Sequence, residues 1–153
     1  MDLVKNNMDF VDMFEQLLAE YTGFKYAVTT DCCSNAIMLA MEIQLQDNIP
    51  GFTKDSIILF PPRTYMSVPM TLINHGWNKI DFLPQYTWAD KYELMWAENM
   101  FSSSQDSTHV FDAATDLHKD MFTDYSNEDL VCISFQQKKR LALGRGGAIL
   151  LND

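Results

Sequence analysis

The 153-residue sequence predicts an α/β fold built on a mostly parallel, mixed sheet. Three observations carry this. Segments with helical spacing of apolar residues alternate with short β-branched runs, the pattern that produces parallel strands joined by right-handed crossovers. The last two strand-like runs, 130–135 and 146–151, are separated by a short basic turn with no helix, which suits an antiparallel return. Hydrophobic residues make up 47% of the chain, enough for a core, and the 12% aromatic and 21% charged residues argue against disorder. The length suggests a single domain spanning 1–153.

The elements follow in order. Phe10, Phe14, Leu17, Leu18 and Tyr21 fall at helical spacing and predict a helix over 8–21, capped by Asn7 and ended by Gly23. KYAVTT (25–30) reads as a buried strand. DCCSNAIMLAMEIQLQ (31–46) reads as a helix with Ser34 or Asp31 as its cap. SIILF (56–60) predicts a strand, 65–74 a helix, NKIDFL (78–83) a strand and 90–100 a helix. After a loop, SSSQDS (102–107), comes THVFDAA (108–114), a strand with an acid at its carboxyl end. Polar FTDYSNED (122–129) leads to the strand LVCISF (130–135), the turn QQKKRLALGRGG (136–147) and a last strand, GGAILL (146–151). Sheets of this class gather ligands beyond the carboxyl ends of their strands, where Ser34, Asn35, Tyr65, Asp112, Ser134 and Lys139 all fall.

Charge and cysteine usage exclude several classes. A formal net charge of -10 disfavours general adhesion to nucleic acid or anionic membrane, and the single Lys138-Lys139-Arg140 triplet is thin support for either. No apolar run is long enough to span a bilayer, and MDLVKNNMDF lacks the order of a secretory signal. Cys32, Cys33 and Cys132 form no disulfide framework, and neither they nor His75, His109 and His118 have zinc-site spacing. No metal is expected, and the plain reading is a reduced, cytoplasmic protein.

Five segments, in this order, resemble the DegT/DnrJ/EryC1/StrS sugar aminotransferases, fold type I enzymes that use pyridoxal 5'-phosphate (PLP). FEQLLAEYTGFKYAVTT (14–30) is similar to the family's first helix and strand, and DCCSNAIMLAM (31–41) stands in place of its phosphate loop. PPRTYMSVPMTLINHG (61–76) resembles its aromatic-bearing segment, and HVFDAA (109–114) its aspartate motif. SFQQKKRLALGRGGAILLND (134–153) resembles its lysine motif and is the most specific. There the lysine stands five residues after the serine of Ser-Phe, and the Gly-x-Gly-Gly glycine five further on. Ser134, Lys139 and Gly144 meet both intervals, which favours Lys139 over Lys138.

The resemblance implies a three-layer sandwich, a shortened PLP-transferase-like large domain, and transfer of an amino group from glutamate to a nucleotide-linked keto sugar, as in polysaccharide biosynthesis. Lys139 would form the Schiff base and then move the proton, a role open to an amine that is desolvated or flanked by cations such as Lys138 and Arg140. Asp112 would keep the pyridine nitrogen protonated. Cys33, Ser34 and Asn35 would cradle the phosphate at a helix N-terminus, with Ser134 adding a hydroxyl. Tyr65 would stack on the ring. Thr115, where family members often carry histidine or glutamine, would donate to the phenolic oxygen.

Each residue also has a plainer reading. The 138–140 triplet suits a solvated turn, Asp112 and Ser34 suit helix caps, Tyr65 suits a core position, and Cys32 and Cys33 suit small buried fillers. Family members are more than twice as long, so the chain is expected to lack the C-terminal small domain. The interval 83–112 is also expected to be too short for the family's usual strand and helix. Since a partner subunit contributes to each site in the family, a homodimer or a complex with a chain supplying the missing domain is implied. The runner-up is an inactive PLP-fold protein serving as a structural or assembly partner.

Overall fold

A computed structural model describes residues 9–47, 52–60, 64–82, 92–96 and 109–153. Three α-helices and seven strands are formed among them: α1 (Phe10–Thr22), β1 (Tyr26–Thr30), α2 (Cys33–Gln46), β2 (Ile58–Phe60), α3 (Ser67–Asn74), β3 (Ile80–Phe82), β4 (Tyr92–Trp96), β5 (Val110–Asp112), β6 (Leu130–Ser134) and β7 (Gly147–Leu151).

The strands make one sheet in the order β1-β7-β6-β5-β4-β2-β3. β5 pairs parallel with β6, with Asp112 beside Cys132, and β2 pairs parallel with β3. β7 runs antiparallel to both β6 and β1, and β4 antiparallel to both β5 and β2. Five strands therefore point one way and two the other. The antiparallel return of the last strand and the parallel pairing of the aspartate strand with 130–134 both match the sequence reading.

Side chains alternate between the two sheet faces, as a pleated strand requires. Cys132 and Ile149 join one cluster with Ala36, Ile37, Ala40 and Met41 of α2 and Val68 and Leu72 of α3. Their neighbours Val131, Ile133, Ala148 and Leu150 join a second cluster with Leu18 and Ala19 of α1, Phe24, Met121 and Phe135. The result is three layers: α1, the sheet, then α2 with α3. β6 is buried at all five residues, which explains its unbroken apolar run. Each fully buried aliphatic side chain here contributes roughly 1.5–3 kcal/mol.

Several elements differ from the sequence reading. The 90–100 segment is not helical at its centre: Tyr92–Trp96 is a strand whose backbone bridges β2 and β5. Pairing on both sides overrides local helix preference, and the interval before the aspartate strand therefore does hold a strand. β1 is an edge strand, with Tyr26 and Val28 exposed, because β7 pairs with one side of it only. Its outer side is guarded by Glu15, whose carboxylate accepts from Thr29 N at 2.6 Å and Thr29 Oγ1 at 2.7 Å. α1 is capped by Asp9, which accepts from Phe10 N, while Asn7 lies outside the described residues. Leu18 turns inward on α1, but Phe10, Leu17 and Tyr21 remain exposed. α2 begins after Cys32 with no side-chain cap, because Ser34 and Asp31 are engaged elsewhere. The loop 102–107 lies outside the described residues.

Candidate functional site

Four forward strands deliver their carboxyl ends to one edge of the sheet: Thr30 before α2, Phe60 before Tyr65 and α3, Asp112 and Ser134. An open cleft lies there. Cys33, Ser34, Tyr65, Asp112, Ser134 and Lys139 line it, so six of the eight residues singled out by the sequence converge. Ile37, Ser67, Val68, Ala114 and Gln136 complete its described wall.

Lys139 sits in the turn that follows β6. Its backbone N–H donates to Gln136 O at 2.9 Å, and Leu143 N donates to Phe135 O at 3.0 Å, closing the 136–143 loop. Lys139 is half-buried whereas Lys138 is exposed. The chain then re-enters the sheet through Gly146 at φ 110, a left-handed conformation that side chains strain to adopt. Gly147 answers a different demand: β7 passes directly beneath the first turn of α2, leaving no room for a Cβ.

Asp112 ends β5 as a buried carboxyl, with Oδ1 accepting from Ala114 N at 3.1 Å. Burial pushes its pKa above the ordinary carboxyl value, while the Ala114 N–H and the charge of Lys139 pull it back. Burial, and then the Asp112 charge, push the Cys33 thiol upward, so it stays protonated and is no thiolate nucleophile.

Ser34 lies within the first turn of α2, and its Oγ is 2.6 Å from Ser67 Oγ on α3. Ser134 Oγ accepts a long bond from Gln136 N at 3.4 Å. Tyr65 is not core: it precedes α3, is 70% exposed and borders the cleft. Asn35 and Thr115 do not line the cleft. Asn35 instead donates to Asp31 at 2.6 Å, and Arg145 lies 3.5 Å from the same carboxylate. These partners hold the Asp31 carboxyl below its usual range, the Asn35 bond most of all. Cys32 and Cys33 are half-buried, and Cys33 packs against the core on the α2 and α3 side of the sheet.

Ser67 and Gln136 were not among the sequence candidates, and Gly147 figured only within the Gly-x-Gly-Gly motif. Gln136 had a signal in its two-residue spacing from Ser134. Ser67 lies two residues past Tyr65 and offered none.

The chain is thus an α/β protein with a mixed sheet and a cleft at the carboxyl ends of its forward strands. The sequence matches the model of the DegT/DnrJ/EryC1/StrS aminotransferase family over residues 3–82, and the chain belongs to that family. Two solved structures share the fold. The crystal structure of 3-amino-5-hydroxybenzoic acid (AHBA) synthase is 18% identical, with a TM-score of 0.58 over 94% of this chain and 42% of that one. DesV from S. venezuelae, solved in complex with a ketimine intermediate, is 17% identical, with a TM-score of 0.58 over 94% of this chain and 44% of that one. The chain thus spans less than half the length of either. No curated protein matches the sequence.

The residues present fit PLP. The cleft offers an amine, a buried acid, hydroxyls, an aromatic ring and a helix start kept clear by Gly147.

Proposed function

We propose that this chain is the cofactor-binding large domain of a PLP-dependent aminotransferase acting on a nucleotide-linked keto sugar, with an amino acid such as glutamate as donor. The observation that carries the reading is the single cleft shared by Lys139, Asp112, Ser34, Ser134 and Tyr65. PLP supplies an aldehyde that condenses with amines and a ring that withdraws electrons. Lys139 Nζ would hold the aldehyde carbon and, once released by an incoming amine, would take up and return the proton on the substrate carbon. Asp112 would face the pyridine nitrogen. Its raised pKa suits a group that shares one proton with that nitrogen, and a protonated ring would favour the ionised carboxylate.

Ser34, Ser134 and the free N–H groups at the start of α2 would receive the phosphate. Tyr65 would cover a ring face, and the exposed mouth of the cleft leaves room for a bulky sugar. We place the reaction in the cytoplasm and assign residues 1–153 to the large domain, working as a dimer or beside a second chain. Titration of the purified chain with PLP tests the reading. Visible Schiff-base absorbance, fixed by borohydride onto Lys139, is expected. A colourless chain at saturating PLP would favour a structural or assembly role instead.

A further inference from the structure

The Oγ atoms of Ser34 and Ser67 lie 2.6 Å apart, at the short end for an O–H···O bond. Ser34 belongs to the first turn of α2 and Ser67 begins α3, and both line the cleft that holds Lys139 and Asp112. We propose that Ser67 is a positioning residue for the anionic end of the cofactor, acting through Ser34; the proposal rests on the PLP reading above.

Each hydroxyl carries one proton, and a contact this short uses one of the two between the oxygens. A single proton is left to point outward. An anion in front of α2 selects the arrangement in which Ser67 donates to Ser34 and Ser34 donates to the anion. Hydrogen bonds in such a chain polarise one another, so Ser34 becomes a stronger donor than a lone hydroxyl. The contact also holds the Ser34 side chain at the cleft wall. This matters because Lys139 is the one cation among the described residues lining the cleft, and it would be engaged at the aldehyde. The phosphate charge then falls to N–H and O–H donors, and the quality of each donor counts.

The test compares PLP with pyridoxal, which has the same ring and aldehyde but no phosphate. Ser67→Ala is expected to weaken PLP binding by about fivefold to tenfold, the loss of one hydrogen bond in a charge-assisted chain. Pyridoxal binding should stay within about twofold by the same measure, and Ser67→Thr, which keeps the hydroxyl, should restore PLP binding. In a Ser34→Ala background Ser67→Ala should add nothing, since its effect passes through Ser34. Equal weakening of PLP and pyridoxal would mean that Ser67 only shapes the cleft, and would overturn the proposal. Additive losses in the double variant would also overturn it. If the unsubstituted chain forms a Schiff base with neither aldehyde, the cofactor reading itself falls, and this inference with it.

Discussion

A Cβ placed on Gly147 would lie 2.5 Å from the backbone nitrogen of Cys33. Real Cβ atoms do not approach backbone so closely, so β7 and the start of α2 are held together by the absence of a side chain. Ser34 is one residue further along the same turn. Gly147→Ala should therefore lift α2 off the sheet, costing about 1–3 kcal/mol by overpacking. It should also weaken PLP binding, because the helix N–H groups move. Urea melts and a PLP titration check both, and a variant matching the parent in each would show that this contact does not position the helix.

Lys139 and Lys138 are adjacent but differ in exposure, with Lys139 half-buried at the cleft and Lys138 exposed. Lys139→Ala should abolish the Schiff-base absorbance and the borohydride-fixed mass increment. Lys138→Ala should keep both, with affinity changed by less than about threefold, as befits a surface charge. Labelling that persists without Lys139 would move the assignment to its neighbour.

Much of this was legible in the sequence, and the reasons for success and failure differ by residue. The run 130–135 announced a strand, and the spacing Ser134, Lys139, Gly144 announced the loop that returns to the sheet. Asp112 was legible because an acid closes an otherwise apolar strand. Tyr92–Trp96 was not, since five residues between two strands take their conformation from pairing rather than from their own preference. The exposure of β1 was equally hidden, because strand order across the sheet decides which strand is the edge. Ser67 escaped notice because its partner, Ser34, is 33 positions away.

Asp112 should leave a mark on the pH dependence of stability. Burial raises its pKa above the ordinary 3.8, so the folded chain binds this proton more tightly than the unfolded chain does. Unfolding free energy must then fall as pH rises from about 3.8 to the raised folded value, and the cost persists above it. Asp112→Asn removes the charge while keeping the shape. Without ligand it should flatten that part of the profile and be more stable than the parent at pH 7. With PLP the order should reverse, since the ring nitrogen loses its carboxylate, and affinity should fall about tenfold to a hundredfold. Denaturant melts from pH 3 to 8, with and without PLP, read both effects. An unchanged profile would show that Asp112 titrates as an ordinary acid.

Glu15 guards the open side of β1 through its two bonds to Thr29. Glu15→Ala should cost about 1 kcal/mol and leave an edge N–H free to pair with another chain. A lower melting temperature together with increased light scattering on incubation is expected. An unchanged melt would assign the protection of this edge to other residues.

Tyr65, Met66, Met70 and Ile73 are 70%, 73%, 48% and 36% exposed, and they run from the mouth of the cleft along α3. Contiguous exposed apolar side chains on a folded chain mark a contact surface. Because Tyr65 also borders the cleft, a partner seated on this stripe would close the opening proposed to receive the ring. Association and PLP binding should then be linked, each strengthening the other. Sedimentation at micromolar concentration should show a dimer or larger species, with PLP shifting the equilibrium toward it. Met70→Lys should favour the monomer and weaken PLP binding at low protein concentration, without touching Lys139. A monodisperse monomer that binds PLP as tightly when dilute as when concentrated would overturn the linkage. The cleft would then be completed by this chain's own residues.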